Sequence, residues 1–119
     1  MIRFADTEWK VMEVLWERGP LSTMELVNIL EESNGWARST VITLLNRMTA
    51  KGGVYFKTVD RSKIYHPTVA RDQAELEETK SFIKKVYGGN IGLMISNLMK
   101  NESLSQEEIE EIRRIINEG

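Results

Sequence analysis

Ser39, Thr40, Thr43, Asn46 and Arg47 bring hydroxyl, amide and guanidinium groups together at helical spacing within the stretch WARSTVITLLNRMTAK, residues 36–51. At about 100° per residue, Ser39, Thr43, Asn46 and Ala50 project on one side of a helix. Thr40 and Arg47 flank that side on one edge and Ile42 flanks it on the other. No long acidic side chain stands among them. Short hydroxyls and amides reach base edges, a guanidinium pairs with phosphate or guanine, and a helix faced in this way fits the major groove of duplex DNA. An ordinary solvated helix surface reads the same, so the surrounding elements must decide.

Val41, Leu44, Leu45 and Met48 fall at i, i+3, i+4 and i+7 on the opposite side, one apolar stripe that needs a core to sit on. Two helices are expected before it. Asp6 or Thr7 suits the N-cap of a helix over 8–18, whose wide apolar face is Trp9, Met12 and Trp16 with Val11 and Leu15, and Gly19-Pro20 ends it. Ser22 and Glu25 form a capping box that opens a second helix with the stripe Leu26, Val27 and Leu30. Ser33-Asn34-Gly35 closes that one. After Gly52-Gly53 the period changes, and 54–59 and 62–67, rich in β-branched and aromatic residues, read as a hairpin about a short Asp60-Arg61 turn. Three short helices and a hairpin describe a winged helix-turn-helix over 1–70, with the third helix as the reading helix and the hairpin as the wing.

Charge is segregated along the chain. The net charge of the 119 residues is −2, yet 37–63 carry Arg38, Arg47, Lys51, Lys57, Arg61 and Lys63 against Asp60 alone. That stretch balances at +5 and leaves −7 for the remainder. A local basic footprint of this kind is what a phosphate backbone would feel, whatever the overall charge. Arg38, Lys51, Lys57, Arg61 and Lys63 are therefore candidate phosphate contacts beside the reading helix, along with Arg47 and Thr40. Ser39, Thr43 and Asn46 are assigned to base edges or nearby phosphates, and Ile42 to a thymine methyl.

Composition excludes other classes. With 41% hydrophobic and 29% charged residues the chain has the make-up of a folded soluble protein, and no apolar run is long enough to span a membrane. A cytoplasmic location is expected, with no signal peptide. The absence of cysteine removes disulfides, thiolate metal sites and a cysteine nucleophile. The single histidine, His66, has no evident catalytic partner, and no glycine-rich phosphate loop is present. No enzymatic activity, metal or cofactor is expected.

From residue 71 onward the chain turns acidic and helical, with seven basic and ten acidic residues. Leu76, Ile83, Val86 and Tyr87, with Phe82 at the margin, make one amphipathic helix that Gly88-Gly89 stops. Ile91, Met94, Ile95 and Leu98 make a second. A capping box at Ser105 and Glu108 opens a third, carrying Ile109, Ile112 and Ile116 with Ile115 beside them. Three such helices have too little core to stand alone. A second copy of themselves is the economical cover, so 71–119 is read as a dimerisation domain, packing back onto the first half being the other arrangement. The expected dimer residues are Phe82, Ile83, Val86, Tyr87, Ile91, Met94, Ile95, Leu98, Ile109, Ile112 and Ile116.

Taken together these residues resemble the BlaI/MecI-type penicillinase repressor family. The resemblance is carried by Glu8-Trp9, Val11-Met12 and Trp16, then by Trp36, Ser39-Thr40-Val41 and Thr43-Leu44-Leu45-Asn46-Arg47. Lys51-Gly52, Arg61 and Tyr65-His66-Pro67 follow in the wing, and Phe82 to Tyr87 and Leu104 to Arg113 in the second half. The resemblance implies a homodimeric transcriptional repressor that binds a palindromic operator through two winged helices. It also implies derepression, in members that confer β-lactam resistance, when a membrane-bound metalloprotease sensor or a factor it activates cuts the dimerisation half. The matching bond here is Asn97-Leu98, with Leu where the better-known members have Phe. Ser39 and Ile42 stand where some members have basic residues, so the operator need not be the usual one. The cysteine cluster of copper-responsive relatives is missing. Outside the resemblance, a winged helix also serves protein recognition, or DNA binding without a specific operator.

Overall fold

The stripe of the third helix is buried: Val41, Leu44, Leu45 and Met48 all lie in the core. The computed structural model describes residues 2–118. Its elements run α1 (Asp6–Arg18), β1 (Leu21–Ser22), α2 (Thr23–Asn34), α3 (Arg38–Ala50), β2 (Val54–Val59), β3 (Ser62–Pro67), α4 (Arg71–Tyr87), α5 (Ile91–Lys100) and α6 (Gln106–Glu118). The contacts fall into two compact units, one ending at Glu77 and the other beginning at Glu78.

In the first unit the stripes of α1 (Val11, Met12, Leu15), α2 (Leu26, Val27, Leu30) and α3 close on one another with Leu21, Val54 and Tyr65. Phe4, Trp16, Trp36 and Val69 pack against this core from its margin. Trp9, expected within the buried face, is half-buried instead and stacks edge-on between Phe4 and Trp16, with ring centroids 6.2 and 5.4 Å away. α1 begins earlier than expected, and its N-cap is Ala5 rather than Asp6 or Thr7. Ala5 has no side-chain acceptor to offer. The cap is made by Glu8, whose Oε1 accepts from the Ala5 N–H at 2.7 Å. The Ser22 capping box forms as the spacing requires, with Glu25 N–H donating to Ser22 Oγ at 3.1 Å and Ser22 N–H to Glu25 Oε1 at 3.0 Å.

The hairpin matches the expected spans, Val59 pairing with Ser62 around Asp60-Arg61. Both turn residues have positive φ, +48° and +68°, the left-handed pair whose twist suits a two-residue connection between strands. A third strand joins it: β1 pairs antiparallel with β3, Leu21 opposite Tyr65, giving the sheet order β1-β3-β2. Two residues carry no readable period, which is why the sequence did not show this strand. A Cβ at Gly53 would lie 2.5 Å from the Phe4 ring, so any other residue there would have to displace that ring from the margin of the core. Helices, turn, reading helix and wing make this unit a winged helix-turn-helix.

The start of α4 belongs to the first unit. Trp16 Nε1–H donates to the Val69 carbonyl at 3.0 Å, Arg71 pairs with Glu17 at 3.8 Å and Glu75 at 3.5 Å, and Ala74 is buried. The boundary by contacts thus falls inside α4, some residues beyond the 70/71 division suggested by composition.

The second unit contains the rest of α4 with α5 and α6. Gly88 and Gly89 take φ +61° and +89° to end α4. Asn90 Oδ1 then accepts from Leu93 N–H at 3.0 Å to start α5, and Ser105 and Glu108 cap α6 reciprocally at 2.8 and 3.1 Å. Among its described residues Ile83 alone is buried, while Phe82, Val86, Ile91, Leu93, Met99, Ile115 and Ile116 are exposed. No helix among the described residues is long and apolar enough to cross a membrane.

Leu45 is 1% exposed at the centre of the first unit. Leu45→Ala is expected to lower the unfolding free energy by about 2–5 kcal/mol, read from urea melts by circular dichroism.

Candidate nucleic-acid interface

Burying one side of α3 fixes what the other side presents. Ser39, Thr40, Thr43, Asn46 and Arg47 are all exposed, and Ile42 is half-buried at the flank. Thr7 of α1 joins Ser39, Thr40, Thr43, Leu44 and Arg47 around one shallow depression. Asn46, exposed one turn after Thr43, does not line it. The N-cap of α3 is Ala37, which makes no side-chain cap, and no acidic residue occupies the first turn, where Arg38 is exposed. Thr40 N–H turns back to the Ala37 carbonyl at 3.1 Å, and the Arg38 and Ser39 N–H groups ahead of it are left for solvent or for an anion.

Two of the expected phosphate contacts are tethered from behind. The carboxylate of Glu8, 1% exposed, accepts from Lys51 Nζ at 2.6 Å through Oε1 and from Arg47 Nε at 3.2 Å through Oε2. The Ala5 N–H is its third donor. Burial pushes the Glu8 carboxyl up, and the hydrogen bonds from Lys51, Ala5 and Arg47 outweigh it, so the group titrates below its ordinary 4.5. The side chains of Arg47 and Lys51 remain 54% and 34% exposed. Sequence reasoning missed Glu8 as a member of this site. The signal was available: Glu8, Val11, Met12 and Leu15 follow i, i+3, i+4 and i+7, which puts a carboxylate on the buried stripe of α1.

The wing cations do not share a face. Lys57 stands opposite Ile64 and Lys63 opposite Thr58, so alternation sends the two lysines to opposite sides of the hairpin, with Arg61 in the turn between. Lys63 Nζ lies 4.6 Å from the Phe56 ring centroid. Tyr65 is 2% exposed and belongs to the core; burial pushes its phenol up, against a hydrogen bond with Thr23. His66 stacks flat on Tyr55 with centroids 4.9 Å apart, a structural use of the only histidine. The described residues hold no group of His, Asp and Glu suited to a metal ion.

Comparison with known proteins finds similar sequences and a similar fold. The sequence model of the penicillinase repressor family matches residues 4–118. The methicillin resistance regulatory protein MecI of Staphylococcus aureus (strain N315) is 31% identical over 113 residues, which are 95% of this chain and 92% of that one. The penicillinase repressor of Bacillus licheniformis is 31% identical over 118 residues, covering 98% and 91%. Among solved structures, monomeric Bacillus licheniformis BlaI in complex with the blaP half-operator superposes with a TM-score of 0.55 at 27% identity, over 60% of this chain and 87% of that one.

Because the Glu8 carboxyl is depressed in the folded state, its contribution to stability is present above pH 4.5 and lost as pH falls through the lower folded value. Lys51→Met removes one of the interactions that oppose burial, so the folded carboxyl titrates closer to its ordinary value, and the acid-side loss is expected to be smaller and complete at a higher pH than in the wild type. Arg47→Ala is expected to cost about 1–2 kcal/mol at neutral pH, less than for a fully buried pair because Lys51 still serves the carboxylate. Urea melts across a pH series check both.

Proposed function

Because the chain belongs to the penicillinase repressor family, we propose that it is a sequence-specific DNA-binding transcriptional repressor, acting as a homodimer on a palindromic operator. The observation that carries this reading is the exposed face of α3, short polar side chains with no carboxylate, set on a rigid core beside a basic wing. Ser39, Thr43 and Asn46 meet base edges or nearby phosphates, and Ile42 meets a thymine methyl from the flank. Thr40 and the free edge of Arg47 meet phosphate. Arg38, Lys51, Lys57, Arg61 and Lys63 add salt-dependent affinity and fix register. Lys57 and Lys63, leaving opposite sides of the wing, suit the two backbones that border a groove rather than one.

The dimer is formed by the second unit. Its support is the apolar surface left open there, including a groove of Ile95, Met99, Ile109, Ile112 and Ile116 edged by Arg113. Two winged helices then read two half-sites spaced by about one helical turn or a multiple of it. Release follows from cutting the dimerisation half after Asn97, before Leu98, by a membrane-bound metalloprotease sensor or a factor it activates, in a β-lactam-responsive system. Asn97 is exposed on α5, where its Nδ2 donates to the Tyr87 hydroxyl at 3.3 Å. A protein left as a monomer keeps half the interface and so loses the operator at low concentration.

Fluorescence anisotropy with the DNA upstream of the protein's own gene, against a scrambled duplex, tests the reading. Nanomolar binding with a preference of ~10³ or more is expected, weakening by roughly 10³–10⁵ between 50 and 200 mM salt if ~6–10 phosphates are engaged. Asn46→Ala, at an exposed position outside the Glu8 cluster, should cut the preference by about 1–3 kcal/mol without changing the melt. Sedimentation should give a dimer that Ile116→Asp converts to monomer. Equal and weak binding to upstream, scrambled and genome-selected duplexes would sink the repressor reading in favour of DNA binding without a specific operator, and no binding to any of them in favour of a protein-recognition module.

A further inference from the structure

Glu8 is the one buried charged side chain among the described residues of the core. It engages both cations at the C-terminal end of the reading helix, Arg47 and Lys51, which stand one turn apart on the same edge of α3. Arg38, Lys57, Arg61 and Lys63, the other basic residues of that region, form no ion pair among the described residues. The pairing is selective, then, and it is durable. An ion pair between two solvated side chains is easily exchanged for water, but here a departing cation would leave a carboxylate that is 1% exposed without one of its three donors.

A free Lys or Arg on this face would attract any phosphate, independent of sequence. A carboxylate behind the pair cancels one of their two charges. It also holds Arg47 by Nε, so that the terminal Nη groups are presented with their direction set and with no partner among the described residues. A guanidinium fixed in that way rewards one placement of the neighbouring phosphate or base and not others.

We propose that Glu8 is a positioning residue for DNA recognition, restraining Arg47 and Lys51 so that sequence-independent affinity falls and selectivity rises. The inference rests on the DNA-binding role proposed above and names a determinant of its specificity.

The test uses the full chain, a mixed-sequence duplex and a duplex enriched from a random pool by the wild-type protein, each titrated across a salt series. Glu8→Gln is expected to bind the mixed-sequence duplex roughly tenfold more tightly, with the salt slope steeper by about 1, since each further phosphate neutralised adds about 0.9. Its preference for the enriched duplex should fall by about the same factor. Loss of fold alone would weaken both duplexes in parallel, so unchanged or weaker mixed-sequence binding by a folded Glu8→Gln protein overturns the proposal. Should that variant not fold, the surface pair Lys51→Gln and Lys57→Gln decides. With Glu8 in place, Lys51→Gln should reduce the slope by less than half as much as Lys57→Gln, and equal reductions overturn it. A wild-type protein that binds no duplex even near 50 mM salt removes the DNA-binding reading itself, an outcome distinct from selective wild-type binding that Glu8→Gln leaves unaltered.

Discussion

Burial of Val41, Leu44, Leu45 and Met48 is the constraint on which the winged helix depends. Each side chain contributes about 1.5–3 kcal/mol by leaving water, and together they leave α3 a single orientation against α1, α2 and the start of β2. A helix rotated by one residue would expose part of that stripe and bury Asn46 or Thr43 without partners, at a cost of about 1–3 kcal/mol for each orphaned group. The polar face is therefore outward because the apolar face has nowhere else to go. What α3 offers to a partner is settled by packing on its far side.

The same core carries one charge, and its position matters. Glu8 closes the N-terminus of α1 through Ala5 and at the same time draws in Arg47 and Lys51 from α3. A lone buried carboxylate would be costly to ionise; here three donors make the ionised form the stable one. The cluster ties the start of α1 to the end of the reading helix, and it works against the long-range attraction that the local balance of +5 over 37–63 would otherwise exert. Packing and electrostatics share these residues, so a substitution at Arg47 reports on both.

The second unit is built on different terms. Its helices are closed by sound local signals, Gly88-Gly89, Asn90 and the Ser105–Glu108 box, yet Ile83 is its only buried side chain among the described residues. Capping secures helix ends at about 1 kcal/mol apiece and does nothing to cover an apolar face. Ile116, 68% exposed on α6, marks the surface that remains open. A fold whose local structure is well determined and whose apolar side is uncovered is suited to assembly with another chain.

Much of this architecture follows from the order of residues alone. The periods of α1 to α3, the capping boxes at Ser22 and Ser105, and the hairpin about Asp60-Arg61 are local events, each written within a few residues and each found where its spacing puts it. The exposed polar face of α3 was legible for the same reason, since a helix that buries one stripe must show the other. The sequence also held the pattern that places Glu8 on a buried stripe, but not the identity of the cations that meet it, because Arg47 and Lys51 lie 39 and 43 residues away along the chain. Likewise the pairing of β1 with β3, the separation of Lys57 from Lys63 across the wing, and the hold of Trp16 on Val69 are long-range matters of register and packing. Local chemistry determined the elements and their faces by itself; which charges were tethered and which left free was decided only when the chain closed on its core.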